Sequence, residues 1–177
     1  MSFAHSFVLD ITLIVYRTIT SPISDVCVET IDSTGRGILL KGVLDSGCIT
    51  SIVLQQYTNK LTRGDKLKYA TYGGTATTSY STDLQLELIE FSHSKRINFK
   101  CQVDTSSTKS PYDIILGSDF LSLLDMVLNY DQGTIHWDGS DIPMKKLGEL
   151  QDNTIYEAIY FANTQPPLLQ DLEECQC

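Results

Sequence analysis

Two stretches of this sequence alternate apolar and polar residues in a way that fits an extended backbone. Leu84-Gln-Leu-Glu-Leu88 alternates strictly, and Ile97-Asn-Phe-Lys-Cys-Gln-Val103 repeats the pattern. Successive side chains of a strand point to opposite faces, so each stretch can bury one face and leave the other wet. Other segments have the same character. Val26–Ile31 is short, apolar and β-branched, and Asp32-Ser-Thr-Gly-Arg-Gly37 follows it as a turn. Ile38–Leu44 reads as a strand entering a core. Lys66–Tyr72 and Thr75–Ser81 read as strands around a tight Gly73-Gly74 turn. Tyr112–Gly117 is a buried strand stopped by glycine.

Helical signals are few. Ser51–Leu61 has room for one or two helical turns. Ser118–Asp125 places Phe120, Leu121 and Leu124 at helical spacing, with Ser118 as the expected N-cap. Met126–Tyr130 and Thr134–Trp137 then form a hairpin around Asp131-Gln-Gly133. The expectation is an all-β domain over residues 23–148 with one short helix. Residues 1–22 form an N-terminal extension. Residues 149–177 form an acidic tail or linker, in which Ile155, Ala158, Ile159 and Ala162 fit one amphipathic helix.

Composition narrows the function. With 42% hydrophobic and 20% charged residues, the 177-residue chain has the balance of a soluble globular domain. A formal net charge of −9 argues against nucleic acid as the main ligand, because phosphate binding needs a basic surface. No apolar run approaches the roughly 20 residues that span a bilayer. The N-terminus lacks a basic leader, and Asp10 interrupts the apolar stretch Phe7–Val15, so no secretory signal is expected. The five cysteines (27, 48, 101, 175 and 177) are odd in number, irregularly spaced and without a CxxC pair. Reduced thiols in an intracellular compartment are therefore expected, with no disulfide framework and no zinc site.

The chemical signal is Val43-Leu44-Asp45-Ser46-Gly47. A carboxylate on a tight turn straight after a buried strand needs compensation. Ser46 supplies a hydroxyl donor, and Gly47 supplies a backbone N–H that can approach closely. An Asp-Ser/Thr-Gly triplet arises by chance in roughly one chain in ten of this length. Alone, it is weak and reads more readily as an ordinary Asx turn capping a strand.

The surrounding parts, in their order, give the triplet more meaning. Gly42-Val-Leu-Asp-Ser-Gly-Cys-Ile-Thr-Ser-Ile52 resembles the active-site loop of the retropepsin-like aspartic proteases, especially those of gypsy-type retrotransposon polyproteins. Tyr112-Asp-Ile-Ile-Leu-Gly-Ser-Asp-Phe-Leu121 is similar to the second signature of that family, and the hairpin Val127–Trp137 is also typical. The likeness covers residues 24–140. Cys48 stands where the family more often has Ala, and Phe120 where many members have Trp; neither touches the triplet.

The resemblance implies a closed, barrel-like β domain acting as a two-fold dimer. Asp45 is then the catalytic carboxylate. Ser46 hydrogen-bonds across the dimer axis, and Gly47 presents loop backbone to water or substrate. Tyr72, Gly73 and Gly74 form a flap over the bound peptide, while Ile115, Leu116 and Gly117 support the loop from behind. Chemistry agrees with the dimer. Carboxylate-catalysed peptide hydrolysis uses two carboxyl groups sharing one proton. The sequence has one such triplet, so the second carboxylate is expected from Asp45 of another copy. The implied substrate is an extended peptide, by family a retroelement polyprotein, with no metal or organic cofactor, no nucleic acid and no membrane. The rival reading is a retropepsin-like binding or dimerisation module whose catalysis has lapsed. A thiol mechanism through Cys48 is disfavoured, because no motif ties His5, His93 or His136 to it. Cys175-Gln-Cys177 is too closely spaced for a metal site.

Overall fold

The alternating stretches are neighbouring strands in the computed structural model, which describes residues 23–31, 36–71, 74–92, 94–106, 110–146 and 148–149. Ten strands are described: β1 (Ile23–Ile31), β2 (Gly37–Asp45), β3 (Ile52–Leu54), β4 (Thr62–Thr71), β5 (Gly74–Glu87), β6 (Arg96–Asp104), β7 (Ile114–Leu116), β8 (Val127–Asn129), β9 (Thr134–Trp137) and β10 (Ser140–Pro143). One helix, α1 (Ser118–Leu123), lies between β7 and β8. The fold is all-β, as the sequence implies. None of the described helices is long and apolar enough to cross a membrane.

The strands β1-β2-β7-β3-β6-β5 pair in that order, and β1 also pairs with β5, so the ring closes. Closure satisfies the edges that an open sheet would leave exposed. Strand β4 continues beyond β5 as the outer arm of a hairpin, and β10-β9-β8 form a separate three-stranded sheet. In β6 the side chains of Ile97, Phe99, Cys101 and Val103 are buried and alternate with more exposed neighbours. Across the ladder, Leu86 faces Ile97 and Leu84 faces Phe99. The predicted period-two pattern is thus the inner wall of the barrel.

Phe120 of α1 is fully buried and meets Phe99 edge to face, with ring centroids 4.9 Å apart. This contact seats the helix on the barrel. Edge-to-face geometry sets the positive rim of one ring against the negative face of the other. Buried charge closes another part of the structure. Lys145, beyond β10, forms an ion pair with Glu90, and both side chains are under 10% exposed (9% and 7%). Glu90 also accepts the Cys27 N–H at 2.9 Å, and Ser24 Oγ accepts the Lys145 N–H at 2.9 Å. The chain after β10 is thereby returned to β1.

Three expectations need correction, and a fourth is met only in part. Ser51–Leu61 does hold one helical turn, of 3-10 type at Gln55–Tyr57, but it is preceded by the unforeseen strand β3 at Ile52–Leu54. Pairing of β3 with both β6 and β7 overrides local propensity there. Thr75–Ser81 and Leu84–Glu87 belong to one strand of 14 residues, since the ladder to β6 runs on through Thr82 and Asp83. Gly74 is not a turn residue but the first of β5, paired with Thr71. The N-cap of α1 is Gly117, without a side-chain cap, and Ser118 is the first helical residue. Strand β10 was not anticipated. The expected helix near 155–162 lies outside the described residues.

Deleting the Phe120 ring should leave a cavity between α1 and the barrel. Phe120→Ala is expected to destabilise the fold by about 3–5 kcal/mol, read as a lower urea midpoint at unchanged slope. A midpoint equal to that of the parent chain would mean that α1 is not seated through this ring.

Candidate active site

Strand β2 delivers Asp45 to the surface. Val43 and Leu44 are buried, Asp45 is partly exposed, and Ser46 and Gly47 are exposed. The chain reverses at once, as the Cys48 N–H donates to the Asp45 carbonyl at 3.1 Å. Within this turn Asp45 Oδ1 accepts the Gly47 N–H at 2.9 Å. That bond fixes the carboxylate over the turn and satisfies one of its lone pairs, while the partial exposure leaves it within reach of water. The predicted triplet is therefore a carboxylate oriented by backbone at the mouth of a buried strand.

The turn is held from behind by β7 and α1. Parallel pairing sets Val43 beside Ile115 and Leu44 beside Leu116, so these residues flank the strand that ends in Asp45. Leu44 and Leu116 are fully buried. The Cys48 carbonyl accepts the Ser118 N–H at 2.7 Å, and the Ile49 carbonyl accepts the Asp119 N–H at 3.3 Å. Gly117 lies so close to the turn that a Cβ there would sit 2.6 Å from the Cys48 carbonyl oxygen. Only glycine lets α1 and the turn approach this far.

Asp119, Ser51 and Asp113 complete the support, and sequence reasoning did not single them out. The Asp119 carboxylate accepts the Ser51 N–H at 3.0 Å and the Ser51 hydroxyl at 2.6 Å. Ser51 Oγ in turn accepts the Gly117 N–H at 2.9 Å. Charge-assisted bonds of this kind are the stronger class. Asp113 Oδ2 accepts the Lys41 N–H at 2.8 Å, and the Asp113 N–H donates to the Lys41 carbonyl at 2.8 Å. The signal that could have found the two acids is their placing directly before and three residues after the apolar run Ile114–Leu116.

Cys48 sits beside the triplet but is not set up as a nucleophile. Its thiol donates to the Thr50 carbonyl at 3.1 Å. Burial pushes the thiol above its ordinary range, and the nearby Asp45 and Asp119 carboxylates add to the effect. His136 is engaged elsewhere, on the β9–β10 hairpin, with Nδ1 3.0 Å from Asp141 Oδ1. Cys27 is further from reactivity, its thiol pushed up to about 12 chiefly by burial.

Ser46 Oγ lies 3.1 Å from the hydroxyl of Tyr130 at the end of β8. This contact was not foreseen either. Of the expected flap residues, Gly74 pairs with Thr71 at the end of the β4–β5 hairpin, while Tyr72 and Gly73 lie outside the described residues. His5, His93, Cys175 and Cys177 also lie outside them.

The close approach at Gly117 has a measurable consequence. Gly117→Ala pushes a methyl group against backbone that cannot rotate away, and overpacking of this kind costs about 1–3 kcal/mol. The expected outcome is a lower unfolding midpoint in urea. No change would show that the turn and α1 are not tightly apposed.

No protein-family model matches the sequence, and no curated protein matches it. Among solved structures, the chain is similar to the retroviral protease-like domain of Ddi1 from Leishmania major. The identity is 16%, the match covers 72% of this chain and 96% of that one, and the TM-score is 0.45.

Proposed function

We propose that the chain is an aspartic endopeptidase that works as a homodimer, with one Asp45 from each copy. The observation that carries this reading is the Asp45 carboxylate itself, oriented by the Gly47 N–H on an exposed turn at the end of a buried strand. A carboxylate whose only task was to cap a strand would not need the layer of hydrogen bonds from Ser51, Gly117 and Asp119 that braces its turn.

In the proposed reaction one Asp45 takes a proton from water, and the water oxygen adds to the peptide carbonyl carbon. The other Asp45 gives its proton to the carbonyl oxygen. The C–N bond then breaks as the leaving amine takes a proton from the first Asp45 and a hydroxyl of the tetrahedral intermediate returns its proton to the other, so the pair is left sharing one proton as before. Gly47 presents backbone to water or substrate, and Ser46 bonds across the two-fold axis. By resemblance, Tyr72, Gly73 and Gly74 serve as the flap over an extended peptide, which adds as a strand. Ile115, Leu116 and Gly117 hold the turn in place. The substrate class is a polypeptide, by resemblance a retroelement polyprotein.

Exposed apolar surface supports the dimer. Of the five large hydrophobic side chains exposed among the described residues, Ile49, Leu123 and Val127 belong to the active-site loop, α1 and β8, and Tyr130 directly follows β8; the fifth is Leu61. Ile49 is 81% exposed and only four residues from Asp45. Exposed apolar groups gathered around an incomplete site are what a second copy would cover.

The test is Asp45→Asn, which keeps the side chain's shape and removes its acid–base function. Cleavage of unfolded protein should fall by at least about 10²-fold while the unfolding transition is preserved. Turnover unchanged from the parent chain would overturn the reading. A parent chain that dimerises but cleaves nothing would favour the lapsed binding module.

The pH profile separates carboxylate from thiol chemistry. Two coupled carboxyl groups lose activity when both are protonated and again when both are ionised, so a bell with an acidic optimum is expected. The Cys48 thiol, raised by burial, would become a thiolate only as pH climbs, so a thiol mechanism requires activity that keeps rising into alkaline solution. Such a profile would count against Asp45.

A further inference from the structure

We infer that Tyr130 is a positioning residue for the catalytic turn, holding Ser46 in the orientation that a second copy engages. This rests on the dimeric protease reading above. The two residues are 84 positions apart, yet their hydroxyls meet at 3.1 Å on the exposed side of the turn. An exposed serine samples several χ1 wells, and a partner fixed on another element selects one of them. Tyr130 is such a partner. It follows β8, whose other end continues from α1, and α1 binds the turn through Ser118 and Asp119. The Ser46 side chain is thus gripped by the same continuous segment that braces the turn from behind.

A hydroxyl can take part in up to three hydrogen bonds, so the contact with Tyr130 does not by itself preclude a bond from Ser46 to the other copy. The tyrosine ring adds a second role. At 38% exposure it is, with Val127 at 54% and Leu123 at 59%, among the few large apolar side chains left exposed in the described residues, which a partner would cover. Association would shield the Ser46–Tyr130 pair from water and strengthen it, since hydrogen bonds gain strength in a drier setting. Docking of the second copy and setting of the catalytic turn are then one event.

The test is a double-mutant cycle on the full chain, using Tyr130→Phe and Ser46→Ala with sedimentation and dilution series. Phe keeps the ring and its apolar contact, so the unfolding midpoint serves as the control for a merely structural effect. The expected result is a dimer dissociation constant raised roughly fivefold by Tyr130→Phe, the worth of one hydrogen bond between neutral groups. Activity lost on dilution should return at higher enzyme concentration. The double variant should be no weaker than Ser46→Ala alone, and Ser46→Thr should retain parental affinity. An unchanged dissociation constant in an active, dimeric parent would overturn the role of Tyr130 and leave the protease reading standing. Additive effects of the two substitutions would overturn it equally. A parent chain that is an active monomer would remove both.

Discussion

The bond between Asp119 and Ser51 links the parts on which the candidate site depends. Asp119 lies in the first turn of α1, and Ser51 lies between the Asp45 turn and β3. Their contact joins the segment that follows β2 to the helix that follows β7. Ser51 passes the connection on, since its hydroxyl accepts the Gly117 N–H while donating to Asp119. Ser51 is fully buried, so its hydroxyl would be costly to leave without a partner. The serine satisfies both of its roles, and the turn gains a support that does not depend on side chains exposed to water. Asp113 performs a similar service one strand earlier, where it fixes β7 against β2.

The polar interior is divided between two regions with different effects. Behind the turn, single carboxylates receive N–H and O–H donors from backbone and serine. Near the start of β1, carboxylates meet other partners: Glu90 pairs with the Lys145 ammonium, and the neutral Tyr112 hydroxyl donates to Asp25 at 2.9 Å. Burial and the Asp25 carboxylate push the Tyr112 hydroxyl well above its ordinary range, so it remains a donor. Breaking a buried ion pair leaves a charge without compensation, which costs far more than losing a surface pair. The ends of the described chain are therefore fastened by electrostatics, whereas the turn is fastened by hydrogen bonds of fixed geometry. Fixed geometry is what a carboxylate needs if it is to hold a proton at a stated place.

Much of the fold could be read from local pattern. Leu84–Leu88 and Ile97–Val103 alternate because they face one core, and Phe120 and Leu121 fall on the buried side of α1. The Asp45 turn was legible because a strand, a carboxylate and a glycine stand in sequence order. What escaped notice depends on distant partners. Strand β3 is only three residues long and exists through pairing with β6 and β7. Ser51 and Asp119 are 68 positions apart, and Ser46 and Tyr130 are 84 apart, so no local window contains either pair. The start of α1 was misplaced for a related reason: Gly117 is drawn against Cys48 by tertiary contact, and the helix begins where that contact ends.

Asp45 is also the point where fold and activity separate. The barrel closes within one chain, through β1 and β5, and its core is complete without a second copy. The proposed chemistry is not complete, because a single triplet brings a single carboxyl group. The energy that folds the domain and the energy that assembles the site thus come from different surfaces. Folding draws on the inward faces of β5 and β6, while assembly would draw on Ile49, Leu123, Val127 and Tyr130. In the proposed dimer, a net charge of −9 on each copy would set two like-charged bodies against each other, a repulsion that salt screens. Apolar contact and hydrogen bonds at the turn must exceed it. In the proposed enzyme, the strength of association, rather than the stability of the barrel, is therefore the quantity on which catalysis would turn.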